Sequence, residues 1–420
     1  MIAEIIATGD EIRSGALVDS NSAYIAERLE QIGVAVTRHH SVGDDMAMLV
    51  ELFHEVGARA DIAVLTGGLG PTTDDLTSEA AAQAAGSRRV LDPRALEAIE
   101  AFFKKRNRPM IPSNKKQAMF PEGARRLDNP IGTAPGFMMT LGRCTFFCLP
   151  GVPPEMHLMV KEQVLPRIKT LMGEERRIYL VKTLSTFGMT ESMTGEKVSG
   201  FTDAFPDIKI GFRARFPEIH VKFYLEGEDR EKLDQMAEKA TDWITEKLGH
   251  YLISKKGESM ERVVGRLLAE KGATLALAES CTGGLIASRI TDVPGSSDYF
   301  FFSAVTYSND AKVQVLGVSP KTLESVGAVH EETAKEMAVG ARDRAGADYG
   351  LSVSGIAGPS GGTDDKPVGT VCIGLATPTG AKGYRYLFPF GKRLMNKSIF
   401  ATSALDLLRR ELSGITRNEA

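Results

Sequence analysis

Thiols, imidazoles and indoles are scarce in this chain: 420 residues hold four cysteines, seven histidines and one tryptophan. So few cysteines argue against a disulfide framework and fit reduced cytosolic thiols. Cys144 and Cys148 stand close together, but in the strand-like stretch RCTFFCLP with no second Cys/His pair nearby, which argues against a zinc site. No apolar run approaches the roughly 20 residues that a membrane-spanning helix needs. The opening MIAEIIATGDE has neither the basic leader nor the apolar stretch of a signal peptide. A cytoplasmic protein with no membrane association is expected. Excess positive charge is also missing: the formal net charge is -3, so bulk charge does not hold the chain to nucleic acid. No internal repeat, low-complexity tract or heptad run stands out.

What remains is ordinary globular composition, 43% hydrophobic and 25% charged. The length implies about two to three domains. Residues 1–173 alternate strand and helix signals. IAEIIATG, DIAVLTGG and TFFCLPG read as buried strands. Helical spacing marks 21–31 and 74–85, and Pro153-Pro154 opens another helix. Such alternation predicts a parallel sheet covered on both faces. Residues 174–257 read βαββα: a strand RRIYLVKTLSTFG, a helix TESMTGEKVSGF, two strands around a turn, and an amphipathic helix ending at KLG. Residues 258–420 are again α/β, with strands at TLALAES, SAVTYS, DYGLSVSGIAG, TVCIGLATP and GYRYLFPF. The fold class expected is α/β: two three-layer α/β domains flanking a small βαββα domain. Ligands of open α/β sheets bind at strand C-termini, and the unusual residues gather there.

In the third segment, Glu279-Ser280-Cys281-Thr282-Gly283-Gly284 sits where a buried strand gives way to a helix. Backbone N–H groups near Thr282, Gly283 and Gly284 at a helix start suit a nucleophile beside an oxyanion hole. Ser280 and Cys281 are the two candidate nucleophiles; neighbours on a strand point to opposite sides, so only one faces a pocket. A serine needs a base. The segment's one histidine, His330 in GAVHEETA, reads as a helix cap. Tyr307 and Lys312 in AVTYSNDAK remain, singly or together. Gly358 in SGIAGPSGG allows close approach of a phosphate or ribose, and Arg393 precedes the last helix as a phosphate clamp.

AESCTGG, PGSS, YSNxxK, GAVxEExA, SGIAGPSGG and a late G-x-R, in that order, resemble the C-terminal domain of the competence/damage-inducible CinA family over 259–412. The resemblance implies hydrolysis of nicotinamide mononucleotide to nicotinate mononucleotide and ammonia, a step of pyridine-nucleotide salvage that needs no cofactor. It implies Ser280 as nucleophile, Tyr307 and Lys312 as the pair that activates it, and Arg393 as a substrate contact. The chain departs from the family at Phe302-Ser303-Ala304, where small glycines are usual, and at His330.

In the first segment, TGGLGPTTDDLT is a glycine-rich turn with two carboxylates placed to start a helix. Its N–H groups suit a phosphate, and its acids a divalent ion on a pyrophosphate. With NKKQAMFPEGA, NPIGTAPGF and LPGVPPEM, the segment resembles the MoaB/MogA-like N-terminal domain of the same family, with Arg13 as a departure. The resemblance implies metal-dependent hydrolysis of ADP-ribose. Asp44, Asp74, Asp75 and Glu155 become candidates for the metal; Asn21, Gly67, Gly68 and Gly70 become candidates for ligand contact. The middle segment resembles the KH-like piece between these domains, but it lacks the GXXG loop of RNA binders. A spacer or dimer contact is expected of it, and a homodimer of the whole. Two rival readings stand beside this one: a pyrophosphatase with a non-catalytic C-terminal domain, and a nucleotide-binding regulatory protein.

Overall fold

A computed structural model describes residues 1–173, 178–388 and 390–415. Its chain forms two compact units, Met1–Leu180 with Glu226–Leu233, and Val181–Leu225 with Asp234–Ala420.

The first unit holds β1 (Ile2–Thr8), β2 (Ala35–Val42), β3 (Ile62–Thr66), β4 (Arg89–Leu91), β5 (Met119–Pro121), β6 (Arg125–Leu127), β7 (Gly136–Leu141) and β8 (Cys144–Leu149). Six of them form one sheet in the order β2-β1-β3-β8-β7-β6, while β4 and β5 pair separately. Along β1 and β3, residues alternate between two cores. Ile6, Ala63 and Leu65 meet Phe53 and Val56 of helix Met46–Arg59; Ala3, Ile5, Ile62 and Val64 meet Ile25 and Leu29 of helix Ser20–Glu30. Both faces are covered, as alternation predicts. The expected all-parallel sheet is corrected, however: β7 and β6 run antiparallel to their neighbours. Only residues 142–143 separate β7 from β8, and so short a link joins antiparallel strands alone.

A four-stranded sheet follows: β9 (Ile178–Thr186), β10 (Lys209–Arg215), β11 (Glu218–Gly227) and β12 (Leu252–Ser254), in the order β10-β11-β9-β12. Strand β12, added antiparallel to β9, extends the βαββα pattern. The helix expected at 190–201 is instead two short ones, Glu191–Lys197 and Phe201–Ala204. Arg176 and Arg177, expected in the first strand, lie outside the described residues.

The last sheet comprises β13 (Leu275–Glu279), β14 (Phe300–Val305), β15 (Tyr349–Gly355), β16 (Thr370–Thr377) and β17 (Gly380–Leu387), in the order β14-β13-β15-β16-β17. The first three run parallel, while β16 and β17 are antiparallel, so this sheet too is mixed. Pro389, at the end of the last expected strand, lies outside the described residues. Helices Met260–Lys271, Leu285–Thr291 and Arg393–Leu412 cover one face; Asn309–Leu316 and Glu331–Ala345 cover the other. Strand β13 splits evenly between them: Leu275 and Leu277 join the first core, Ala276 and Ala278 the second.

The middle segment and this last domain share a core, since Phe187 and Ile253 pack in the same cluster as Val264 and Leu405. Arg409, almost fully buried, pairs with Asp406 at 2.7 Å and donates to the carbonyls of Leu252 (3.1 Å) and His250 (2.8 Å). Asp406→Ala would leave Arg409 buried without its counter-charge, which typically costs about 3–5 kcal/mol. Trp243 fluorescence, followed through denaturant unfolding, should show a correspondingly earlier transition for this variant.

Candidate functional site

The alternation along β13 decides which way its last residues face. Extended one step, it turns Ser280 toward helix Asn309–Leu316 and Cys281 into the opposite core, where Cys281 is found. Burial pushes the Cys281 thiol up to about 12, so it stays protonated. Ser280 is 9% exposed, and its Oγ lies 3.3 Å from the Nζ of Lys312. Lys312 is 1% exposed and also donates to the carbonyls of Thr306 (2.8 Å) and Tyr307 (3.5 Å). Ser308 caps the helix that carries it, accepting from the Ala311 N–H at 3.1 Å. Burial holds the Lys312 amine below its ordinary value of 10.5. A lysine so depressed can take a proton from the serine it touches.

Tyr307 is placed differently. Its side chain is 63% exposed, and its hydroxyl accepts from Arg393 at 3.2 Å; what it offers Lys312 is its backbone carbonyl. Arg393 also donates to the Gly358 carbonyl at 2.7 Å, so Tyr307, Arg393 and Gly358 form one chain along the site. The two glycine N–H groups offered to an oxyanion are engaged. Gly283 donates to the Ser280 carbonyl at 3.0 Å, and Gly284 to the Glu279 carboxylate at 3.0 Å. Among the described residues the Thr282 N–H and its buried hydroxyl have no partner. His330 caps helix Glu331–Ala345, its Nδ1 accepting from the Glu332 N–H at 3.1 Å. At the departure from family pattern, Phe302 and Ala304 pack against the core of Leu316 and Met337.

All eight candidates in the first unit line one cleft of about 460 Å³: Asn21, Asp44, Gly67, Gly68, Gly70, Asp74, Asp75 and Glu155. Gly67 has φ 109°, and a Cβ there would lie 2.4 Å from the Thr8 carbonyl, so only glycine allows the turn. Asp74 and Asp75 precede the helix rather than start it, because the helix spans Thr77–Ala84. Asp75 is occupied in holding the turn, accepting from the Thr72 N–H at 2.8 Å. Glu155 accepts from Asn129 at 2.7 Å. Burial, and then the charges of Asp10, Glu11 and Asp74, push the Asp44 carboxyl above its usual range. Asn21 donates to Thr66 (3.1 Å) and to the Gly151 carbonyl (2.8 Å), leaving its buried Oδ1 without a partner. Among the described residues no three acidic, histidine or cysteine side chains converge as metal ligands. Carboxylates standing singly around a cleft can share a divalent ion with a bound phosphate, which supplies further oxygen ligands.

Comparison with known proteins assigns each of the three segments to a family. The family profile described as "CinA C-terminal domain" matches residues 257–412. "Probable molybdopterin binding domain" matches 4–170, and "Damage-inducible protein CinA KH domain" matches 181–254. A CinA-like protein of Desulfosudis oleivorans is 53% identical over 98% of this chain and 100% of its own length. Another, of Desulforapulum autotrophicum, is 48% identical over 97% of this chain and 98% of its own. The chain belongs to the CinA family. A crystal structure of a CinA protein from Thermoplasma acidophilum, 37% identical, aligns over 38% of this chain and 94% of that one, with a TM-score of 0.36. No helix of this CinA chain, among the described residues, is long and apolar enough to cross a membrane.

Three residues of this CinA C-terminal domain escaped sequence reading. Glu279 is fully buried, and its carboxylate accepts the N–H groups of Gly284, Ile286 (3.2 Å) and Ala287 (2.9 Å). It caps helix Leu285–Thr291 from the strand before the turn, a geometry that no S/T-x-x-E pattern signals. Asn396, also buried, donates to the carbonyls of Ala357 (3.1 Å) and Phe390 (2.9 Å) and so ties two loops together. Lys397 places its Nζ 3.6 Å from where a Cβ on Gly283 would be. Spacing from Arg393 by one helical turn was the available signal for Lys397. Removing the Glu279 carboxylate strands three N–H groups. Glu279→Ala should therefore lower stability by on the order of 3 kcal/mol, measured by the same Trp243 unfolding curve.

Proposed function

We propose that the C-terminal domain is a serine amidase acting on nicotinamide mononucleotide, with Lys312 as its base. The 3.3 Å contact between a buried amine and Ser280 carries this reading. The neutral Lys312 amine takes the Ser280 proton as Oγ bonds to the carboxamide carbon. The tetrahedral oxyanion is met by the Thr282 N–H, the donor left uncommitted in the turn. Lys312 returns the proton to the departing nitrogen, the C–N bond breaks, and ammonia leaves an acyl-enzyme. Water then loses a proton to Lys312 and attacks the ester, and Lys312 returns that proton to the Ser280 Oγ as the ester bond breaks and nicotinate mononucleotide leaves. Arg393 and Lys397 supply positive charge for the substrate's phosphate. Tyr307 acts with Arg393 in holding substrate rather than as the base. This domain needs no cofactor in the proposed cycle.

Ammonia release from nicotinamide mononucleotide, with EDTA present, tests the reading. Ser280→Ala should lose at least about 10³-fold in kcat, whereas Cys281→Ala should keep its activity. Lys312→Arg should be inactive, because a guanidinium stays charged. The base works unprotonated, so activity should fall as pH drops through the Lys312 value, which lies below 10.5. A wild-type enzyme that releases no ammonia ends the proposal.

For the first unit we propose hydrolysis of an ADP-ribose-like pyrophosphate with its divalent ion. The observation that favours it is the convergence of eight candidates on a single cleft. Gly67, Gly68 and Gly70 would lie against phosphate oxygens, with Asp44 and Asp74 on the ion and Asn21 on a sugar or base. In ADP-ribose with magnesium, AMP release by the wild type and none by Asp44→Asn is expected. Ammonia release by that variant should be unchanged. We expect the chain to work as a cytoplasmic homodimer with small nucleotides as its partners and no nucleic acid or membrane, its mass to be measured by light scattering.

A further inference from the structure

We propose that the β10–β11 hairpin of the middle segment is a positioning element of the amidase site, and that Phe216 at its tip holds the loop leading to Arg393. The inference rests on the amidase reading above. The hairpin turn is Phe216-Pro217, between Arg215 and Glu218. Exposed turn positions ordinarily carry Gly, Asn, Asp or Ser, yet a large aromatic stands here, 43% exposed. Its ring meets that of Phe390 edge-on, with centroids 5.2 Å apart and planes at 85°. Edge-to-face contact is the favourable arrangement of two aromatic quadrupoles.

Phe390 is well chosen for a brace. Its carbonyl accepts from the buried Asn396 amide, and the same nitrogen donates to the Ala357 carbonyl. One residue beyond Ala357 is Gly358, whose carbonyl accepts from Arg393. Displacing Phe390 therefore shifts the helix start that carries Arg393 and the loop that Arg393 grips. The hairpin cannot swing freely, because the segment is anchored elsewhere: Phe187 and Ile253 lie in the amidase core, and Arg409 holds the carbonyls of His250 and Leu252. Ser280 follows β13 and Lys312 lies on the helix after β14; they join this chain of contacts only through Tyr307, whose hydroxyl accepts from Arg393 and whose backbone carbonyl accepts from Lys312. Phe216 is thus a positioning residue for substrate binding rather than for bond making.

The test uses the full chain. Phe216→Ala should raise KM for nicotinamide mononucleotide about three- to tenfold while kcat changes less than about twofold. Phe216→Tyr should restore KM. In an Arg393→Gln background the Phe216→Ala change should add nothing, since both act through one group. An unchanged KM, a loss confined to kcat, or additivity with Arg393→Gln overturns the proposal. Hydrogen exchange separates this outcome from failure of the amidase reading. Phe216→Ala should speed exchange at Phe390, Arg393 and Asn396 but not at 275–279, whatever substrate is used. Equal exchange in both proteins also overturns it.

Discussion

Taking an ammonium group out of water costs several kcal/mol unless charge or dipoles replace the lost solvation. Lys312 meets that constraint in an unusual way. It is 1% exposed and has no acidic partner among the described residues; its acceptors are two backbone carbonyls and the Ser280 hydroxyl. A carboxylate beside it would have kept it charged and useless as a base. Neutral dipoles alone let burial lower its proton affinity. The surrounding structure serves this arrangement. Strand β14 must end where the Thr306 and Tyr307 carbonyls turn inward, and the Ser308 cap must start the helix that brings Lys312 back to β13. The β13 alternation must deliver the serine, not the cysteine, to the same side.

Glu279 is the counterpart, a buried carboxylate answered by N–H groups instead of by a cation. Its placement has a chemical consequence. A helix start after a strand is normally open to an anion, but here the protein's own carboxylate fills it. In the proposed reading an anionic group would instead be met at the start of Arg393–Leu412, where Arg393 and Lys397 stand one turn apart. The carboxamide would thus go to Ser280 and the phosphate to the start of the last helix, whose Lys397 Nζ also reaches the turn, 3.6 Å from where a Cβ on Gly283 would lie.

Much of this was legible in the sequence because it is local. Short apolar runs bounded by turn residues marked β1, β3, β8 and β13. Ser280, Lys312 and the glycine-rich cleft were reachable from ordered motifs. What escaped depends on partners distant in the chain. Asp74 and Asp75 resemble first-turn acids, yet Thr72 recruits Asp75 to close a turn, so the helix waits until Thr77. Tyr307 adjoins Lys312 in sequence, but Arg393 pulls its hydroxyl away. The antiparallel pairs β7–β8 and β16–β17 follow from short turns that an alternating pattern does not weigh, while β16 reverses against β15 through the longer loop 356–369. The bond between the middle segment and the last domain runs through Arg409, which reads locally as a cation at a helix end.

The two sites solve opposite electrostatic problems with ligands of one kind. Around the first cleft stand Glu11, Asp44, Asp74, Asp75 and Glu155, and burial together with neighbouring acids pushes the Asp44 carboxyl above its usual range. A pyrophosphate entering alone would meet repulsion, so it must bring a cation, and binding should depend on that ion. At the proposed amidase site Arg393 and Lys397 offer positive charge to a phosphate. The proposed cycle there calls for no divalent ion, since an amine would activate the serine and the pyridinium ring of nicotinamide mononucleotide withdraws electrons from its amide. With the two activities proposed above, one chain would handle two nucleotides in the same solution without either site capturing the other's ligand: a metal-loaded pyrophosphate suits the acidic cleft, and a bare phosphate monoester the cationic site.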